Sequence, residues 1–106
     1  MDRNVENSME KLIESILESE TYKEYDRQRI KVNQNPELKA QIDEFRHRNY
    51  EFQNNNTTFD KIEEFEREYA GFREIPLVSD FLAAELAFCR LMQDINIRIT
   101  AAVNFE

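Results

Sequence analysis

Residues 76–103 read PLVSDFLAAELAFCRLMQDINIRITAAV, and this apolar run decides the fold. At ~100° per residue, its apolar side chains cover about half the circumference of one helix. They are Leu77, Val78, Phe81, Leu82, Phe88, Cys89, Leu91, Met92, Ile95, Ile99, Ala102 and Val103. Leu86 and Ile97 lie beyond this arc, and the charged strip of Asp80, Arg90, Asp94 and Arg98 is narrow. We therefore expect the helix to need partners on two sides, in the core and in a subunit contact.

The composition predicts long helices with few breaks. The chain has 106 residues, of which one is glycine and two are proline. These features favour an all-α fold: a single domain over residues 1–106, built as an antiparallel bundle of four to five helices with a long C-terminal helix. An extended coiled coil is the alternative. A terminal helix of about 27 residues is ~40 Å long, whereas a compact domain of this size has a radius of gyration near ~13 Å. The excess length predicts an oligomer.

Apolar periodicity and capping signals predict the earlier helices. A regular stripe runs through residues 4–18, and Thr21 with Glu24 has the spacing of a capping box, so we expect a break near residues 19–24. A less regular helix follows to about Val32. Asn35 before Pro36 is typical of a helix start, because the amide can cap free N–H groups.

The chain offers two further boundaries. The polar run at residues 54–58 predicts a turn, and a new stripe begins at Phe59. Gly71 is placed as a C-terminal residue of that helix, where glycine tolerates a left-handed conformation, and Pro76 opens the last helix. Most phenylalanines lie on apolar stripes and are expected to pack in the core; they are Phe45, Phe52, Phe59, Phe65, Phe72, Phe81 and Phe88.

Charge and cysteine usage narrow the classes of function. The net charge of −8 disfavours direct binding to nucleic acid or to an anionic membrane. No stretch approaches the ~20 apolar residues of a membrane span, so we expect no membrane insertion. One cysteine cannot form an intramolecular disulfide, and the N-terminus does not have the pattern of a secretion signal. These features predict a cytoplasmic protein.

No residue set in the sequence indicates catalysis, a metal or a cofactor. Cys89 and His47 are too few for a zinc site, and we expect core packing for the first and solvation for the second. Glu85 is unusual because it lies inside the apolar arc. We expect it to pair with an arginine or lysine of another helix or subunit, with a recognition role and a carboxylate-based hydrolase as alternatives.

Three segments resemble the YlbF/YmcA family of small helical bacterial regulators. They are LIESILESETYKEY at residues 12–25, NPEL at residues 35–38 and VSDFLAAE at residues 78–85. The resemblance implies a non-enzymatic, oligomer-forming protein. In Bacillus-type bacteria, family members join sister proteins in a complex that acts through a ribonuclease and messenger-RNA maturation in competence, sporulation and biofilm formation. Some members carry a cysteine-rich tail associated with iron–sulfur clusters, which residues 104–106 do not resemble, so no cofactor is expected.

The leading hypothesis is a regulatory adaptor that forms a homo-oligomer, a dimer or a tetramer, through the terminal helix. Sister family proteins and a ribonuclease are the other expected partners. The candidate interface consists of Phe81, Leu82, Glu85, Phe88, Met92, Ile95 and Ile99. A holdase-like or structural coiled-coil protein without a dedicated partner is the alternative.

Overall fold

The computed structural model describes residues 1–54 and 58–103. The described residues form five helices and no strand: α1 (Arg3–Glu18), α2 (Glu20–Asn33), α3 (Pro36–Asn54), α4 (Phe59–Glu74) and α5 (Pro76–Ala102). The prediction of an all-α fold with a long C-terminal helix is confirmed, and α5 has the expected 27 residues. The predicted turn at residues 54–58 falls mostly on residues 55–57, which lie outside the described part of the chain.

The chain divides into two compact units. The central unit comprises Gln28–Leu82, and the terminal unit comprises Met1–Arg27 together with Ala83–Glu106. Both α2 and α5 contribute residues to each unit, and the expectation of a single domain over residues 1–106 stays a prediction.

Helices α3 and α4 form an antiparallel hairpin in the central unit. Aromatic rings join the two helices in reverse order, with Phe45 near Phe72 (5.8 Å between ring centroids) and Phe52 near Phe65 (4.7 Å). Phe45 also stacks on Phe65 at 5.7 Å and contacts Tyr69 at 5.1 Å. Aromatic pairs at such distances each contribute ~0.5–1.5 kcal/mol beyond their burial, so this cluster holds the hairpin together.

The core of the central unit draws residues from four helices. Its buried apolar side chains are Val32, Leu38, Ile42, Phe45, Phe65, Val78 and Phe81. Ile42 and Val78 are the largest side chains that are completely buried. The guanidinium of Arg46 lies 5.7 Å from the ring centroid of Phe81, within the range of a cation–π contact. The first turns of α5 therefore belong to this core.

Side-chain caps fix the starts of three helices. The amide oxygen of Asn35 accepts a hydrogen bond from the Leu38 backbone N–H at 3.2 Å, which confirms the predicted start of α3. The hydroxyl of Thr58 caps α4. The break after α1 is also confirmed, but the prediction that Thr21 caps α2 is wrong. The Ser19 hydroxyl accepts from the Tyr22 N–H at 3.1 Å, so the helix begins two residues earlier.

The end of α4 differs from the prediction. Gly71 was expected to end the helix in a left-handed conformation, but α4 continues to Glu74 and Gly71 lies inside it. The chain turns instead at Ile75, which is extended with φ −60° and ψ 122°. The physical reason is Pro76, because a proline ring disfavours helical dihedrals in the residue before it.

Two expectations about burial are wrong. Cys89 was expected to pack in the core, but it is exposed on α5. Its direction is ~100° away from that of Phe88, and so it points away from the packed side of the helix. Phe59 was also expected in the core, but it is 71% exposed. It is the first residue of α4 and lies beyond the Phe52–Phe65 pair of the hairpin.

Candidate interaction surface

The terminal unit has almost no core of its own. Among its described residues, Ala84 alone is buried, whereas the central unit buries eight side chains. A unit that excludes so little apolar surface from water gains little of the hydrophobic stabilisation that offsets chain entropy. The terminal unit is therefore the part of the molecule where a partner would add most to stability.

An aromatic cluster joins α2 to α5 within the terminal unit. The ring of Phe88 stacks on Tyr25 at 5.2 Å between centroids and lies 5.4 Å from Tyr22 in a tilted arrangement. Ser19 caps α2 just before these tyrosines and so fixes where their helix starts. Phe88 is half-buried, and its ring contacts place α5 against α2 in the terminal unit.

Helix α1 presents an uncovered apolar face. It has the strongest amphipathic pattern of the five helices, yet none of its residues is buried. Its stripe consists of Val5, Met9, Leu12, Ile13, Ile16 and Leu17. Five of these six side chains are exposed, from 36% at Leu12 to 53% at Val5, and Ile16 is half-buried.

Residues 86–103, which comprise the last part of α5 and Val103 after it, also expose apolar side chains, and we call this segment distal α5. Its exposed large apolar residues are Leu86, Met92, Ile97, Ile99 and Val103. Met92 and Ile99 lie on the wide apolar arc, whereas Leu86 and Ile97 lie on the opposite side. The charged strip is present as predicted, because Arg98 forms an ion pair with Asp94 at 3.2 Å. The helix thus exposes apolar surface on two sides.

Ten large apolar residues are exposed on the α1 stripe and on two sides of distal α5. Single exposed apolar residues are normal on a protein surface, whereas several on one helix face mark an interaction site. The terminal unit therefore has the surface composition of an interaction module.

The seven predicted interface residues are divided between the two units, and their role as an interface stays a prediction. Phe81 is buried in the central unit, where Leu82 also lies half-buried, and the other five belong to the terminal unit. Glu85, Phe88 and Ile95 are half-buried there, while Met92 is 42% and Ile99 is 52% exposed.

Sequence reasoning did not identify the α1 stripe as a candidate surface. The signal was present in the clear helical period of residues 5–17. Periodicity alone does not distinguish a face that packs in the core from a face that meets a partner.

A polar cluster lies between α3 and α4 of the central unit. Nη1 of Arg48 donates to the Glu68 carboxylate at 2.8 Å and to the Tyr69 hydroxyl at 3.1 Å. Its guanidinium also lies 5.4 Å from the Phe65 ring centroid and 5.2 Å from that of Tyr69. The hydrogen bond to Glu68 raises the pKa of Arg48, and the same bond lowers the pKa of Glu68. This cluster therefore strengthens the hairpin.

Metal-binding clusters and surface cavities are the other kinds of candidate site. No three His, Cys, Asp or Glu side chains among the described residues come together in a way that could hold a metal ion. A shallow cavity between α3 and α4 is lined by Gln41, Glu44, Glu68, Tyr69 and Phe72. Its polar members include Glu68, which already binds Arg48. None of the described helices combines the length and hydropathy needed to cross a membrane.

The chain matches no curated protein and no solved structure. The model of one family, described as control of competence regulator ComK, YlbF/YmcA, matches residues 5–104. This match spans nearly the whole chain and confirms the resemblance seen in its three short segments. The chain therefore belongs to the YlbF/YmcA family of competence regulators.

Proposed function

We propose that the chain is a regulatory adaptor, which acts by assembling with copies of itself and with other proteins and catalyses no reaction. One observation carries this proposal: the terminal unit exposes ten large apolar residues on α1 and distal α5, while Ala84 alone is buried among its described residues. The family membership supports a regulatory role. The adaptor works in the cytoplasm.

The partners follow from the family resemblance. We expect sister family proteins and a ribonuclease to be bound, so that the chain modulates messenger-RNA maturation and hence competence, sporulation or biofilm formation. The net charge of −8 supports a role exerted through proteins, because direct contact with RNA phosphates would be repulsive.

Self-association uses the wide apolar arc of distal α5. Met92 and Ile99 are among its exposed members, and half-buried Ile95 lies between them on the helix. Because these positions recur at intervals of three and four residues, a second copy of α5 can pack along the same line. The result is a dimer, or a tetramer if the opposite side with Leu86 and Ile97 also takes part.

Sedimentation of the purified chain at micromolar concentration tests this assembly. We expect an oligomer for the wild type and a monomer for the double variant Met92→Glu/Ile99→Glu, because each new carboxylate would be desolvated without a partner. The matched control is Gln93→Glu/Thr100→Glu, which places the same charges at the same spacing on α5. We expect the control to remain at least a dimer, because both positions lie ~100° away from Met92 and Ile99 around the helix. A folded wild-type monomer would contradict the proposal.

The alternative function is a holdase or a structural coiled coil, which the exposed stripes also suit. Recovery of bound proteins from a native lysate separates the two functions. The adaptor predicts a small set of proteins in fixed stoichiometry, whereas the holdase predicts a broad mixture of unfolded clients. The latter result would favour the alternative.

A further inference from the structure

Helix α1 combines its uncovered stripe with a row of acidic side chains. Glu6, Glu10, Glu14 and Glu18 follow one another at four-residue intervals. We call this row the acidic ridge. Like charges at this spacing on a helix repel one another. None of the four forms an ion pair within the described part of the chain, and the helix carries only one arginine and one lysine against them.

The acidic ridge begins beside the apolar stripe. At ~100° per residue, Glu6 and Glu10 lie next to Ile13 and Leu17, while the later members of the ridge turn away from the stripe. Ile13 and Leu17 are 47% and 49% exposed. One edge of α1 therefore offers apolar surface and unneutralised negative charge side by side.

The negative charge of the acidic ridge favours some binding partners of this edge over others. Helices that lie on membranes carry lysine and arginine on their polar face, and the ridge has the opposite sign. A second α1 would bring two acidic ridges together, which is unfavourable. Distal α5 of a second copy has a nearly neutral strip, since Arg98 is already paired with Asp94. The complementary occupant is a helix with an apolar stripe flanked by lysine or arginine.

We propose that α1 is the docking site for a basic amphipathic helix of another protein; this inference rests on the proposed adaptor function and identifies the chemistry of its partner. The stripe from Val5 to Leu17 is ~18 Å long at 1.5 Å per residue, so about three turns of a partner helix fit along it. Lysine or arginine at the rim of that helix faces Glu6 and Glu10 and sets its orientation. Distal α5 remains the site of self-association.

Two synthetic helical peptides test the proposal with the full chain. Both carry leucine at helical spacing over 18 residues, a length of about five turns. One has arginine beside the leucine stripe, and the other has glutamate at the same positions. By fluorescence anisotropy, we expect the arginine peptide to bind the wild type at least ~10-fold more tightly than the glutamate peptide. The variant Glu6→Lys/Glu10→Lys should reverse this order.

A matched control separates local docking from attraction to an acidic protein. Glu63→Lys/Glu66→Lys makes the same charge change on the exposed surface of α4 and should leave the wild-type preference intact. Equal weakening of the arginine peptide by both double variants would overturn the proposal. The α1 variant should keep its helical circular dichroism, because Glu6 and Glu10 are exposed and a lysine at position 10 lies one turn before Glu14, at the spacing of a favourable ion pair.

Sedimentation of the same variants distinguishes this proposal from the proposed self-assembly. If Glu6→Lys/Glu10→Lys dissociates the oligomer, a second copy occupies α1 and the docking proposal is wrong. If this variant sediments as the wild type does and reverses the peptide preference, the docking proposal is supported. If the wild type is a monomer and still prefers the arginine peptide, docking at α1 is supported and only the self-assembly proposal is contradicted.

Discussion

Arg48 is the residue on which the polar and aromatic contacts of the α3–α4 hairpin converge. It forms an ion pair with Glu68 and lies over the rings of Phe65 and Tyr69. An arginine can do this because its planar guanidinium donates hydrogen bonds at the edge while it stacks on a ring face. The same side chain therefore couples charge to packing in the central unit.

The Arg48–Glu68 pair predicts a dependence of stability on pH. The hydrogen bond from Arg48 lowers the pKa of Glu68 in the folded chain. The pair therefore stabilises the fold at pH values above the pKa that Glu68 has in the unfolded chain. This stabilisation is lost as the pH falls through the lower pKa that Glu68 has in the folded chain. We expect the wild type to lose thermal stability between about pH 5 and pH 3 more steeply than Glu68→Gln, whose amide does not titrate.

The midpoint of thermal unfolding, followed by circular dichroism across that pH range, is the measurement. Glu66→Gln serves as the control, because Glu66 is exposed on the same helix and forms no ion pair in the described part of the chain. Its pH profile should match that of the wild type. Identical slopes for Glu68→Gln and the wild type would show that the pair adds nothing.

For single residues, the sequence predicted the burial of some apolar side chains correctly and of others wrongly. Phe45, Phe65 and Phe81 are buried as expected, whereas Phe59 and Cys89 are exposed. Burial depends on the neighbour that each helix meets, and that neighbour is distant in sequence. The Arg48 cluster was not predicted for the same reason, since its partners are 20 and 21 residues away.

At the scale of elements, helix starts were predicted best because their signals are local. Asn35 with Pro36, and Pro76, each carry the chemistry of a start within one or two residues. The errors arose where two local signals competed. Ser19 caps α2 in place of Thr21, and Ile75 before Pro76 ends α4 in place of Gly71.

The cap of α3 provides a prediction at this scale. Replacement of Asn35 by alanine removes the acceptor for the Leu38 N–H and should lower the free energy of unfolding by ~1 kcal/mol. Asn35→Asp keeps an acceptor and should retain most of the stability. Denaturant unfolding at one fixed protein concentration measures both variants. Equal losses for Ala and Asp would mean that the cap is not the source of the effect.

At the scale of the whole molecule, the two units differ in how their apolar residues are used. The central unit buries a core drawn from four helices, whereas the terminal unit leaves its apolar side chains on α1 and distal α5 uncovered. The sequence indicated the excess apolar surface of α5 through the width of its arc. It did not indicate that α1 is uncovered as well, because an amphipathic helix has the same pattern in a core and at an interface.

This difference between the units has a thermodynamic consequence. If a second copy covers the terminal unit, folding and association are coupled, and stability rises with protein concentration. For a dimer that unfolds to two chains, each tenfold rise in concentration adds ~1.4 kcal/mol to the apparent free energy of unfolding.

Chemical unfolding of the full chain at concentrations from about 1 to 100 µM tests the self-assembly claim most directly. We predict that the denaturant midpoint of the wild type rises steadily over this range. The midpoint of Met92→Glu/Ile99→Glu should stay constant, while that of Gln93→Glu/Thr100→Glu should rise as in the wild type. A wild-type midpoint that does not change with concentration, together with a monomeric mass, would contradict the account.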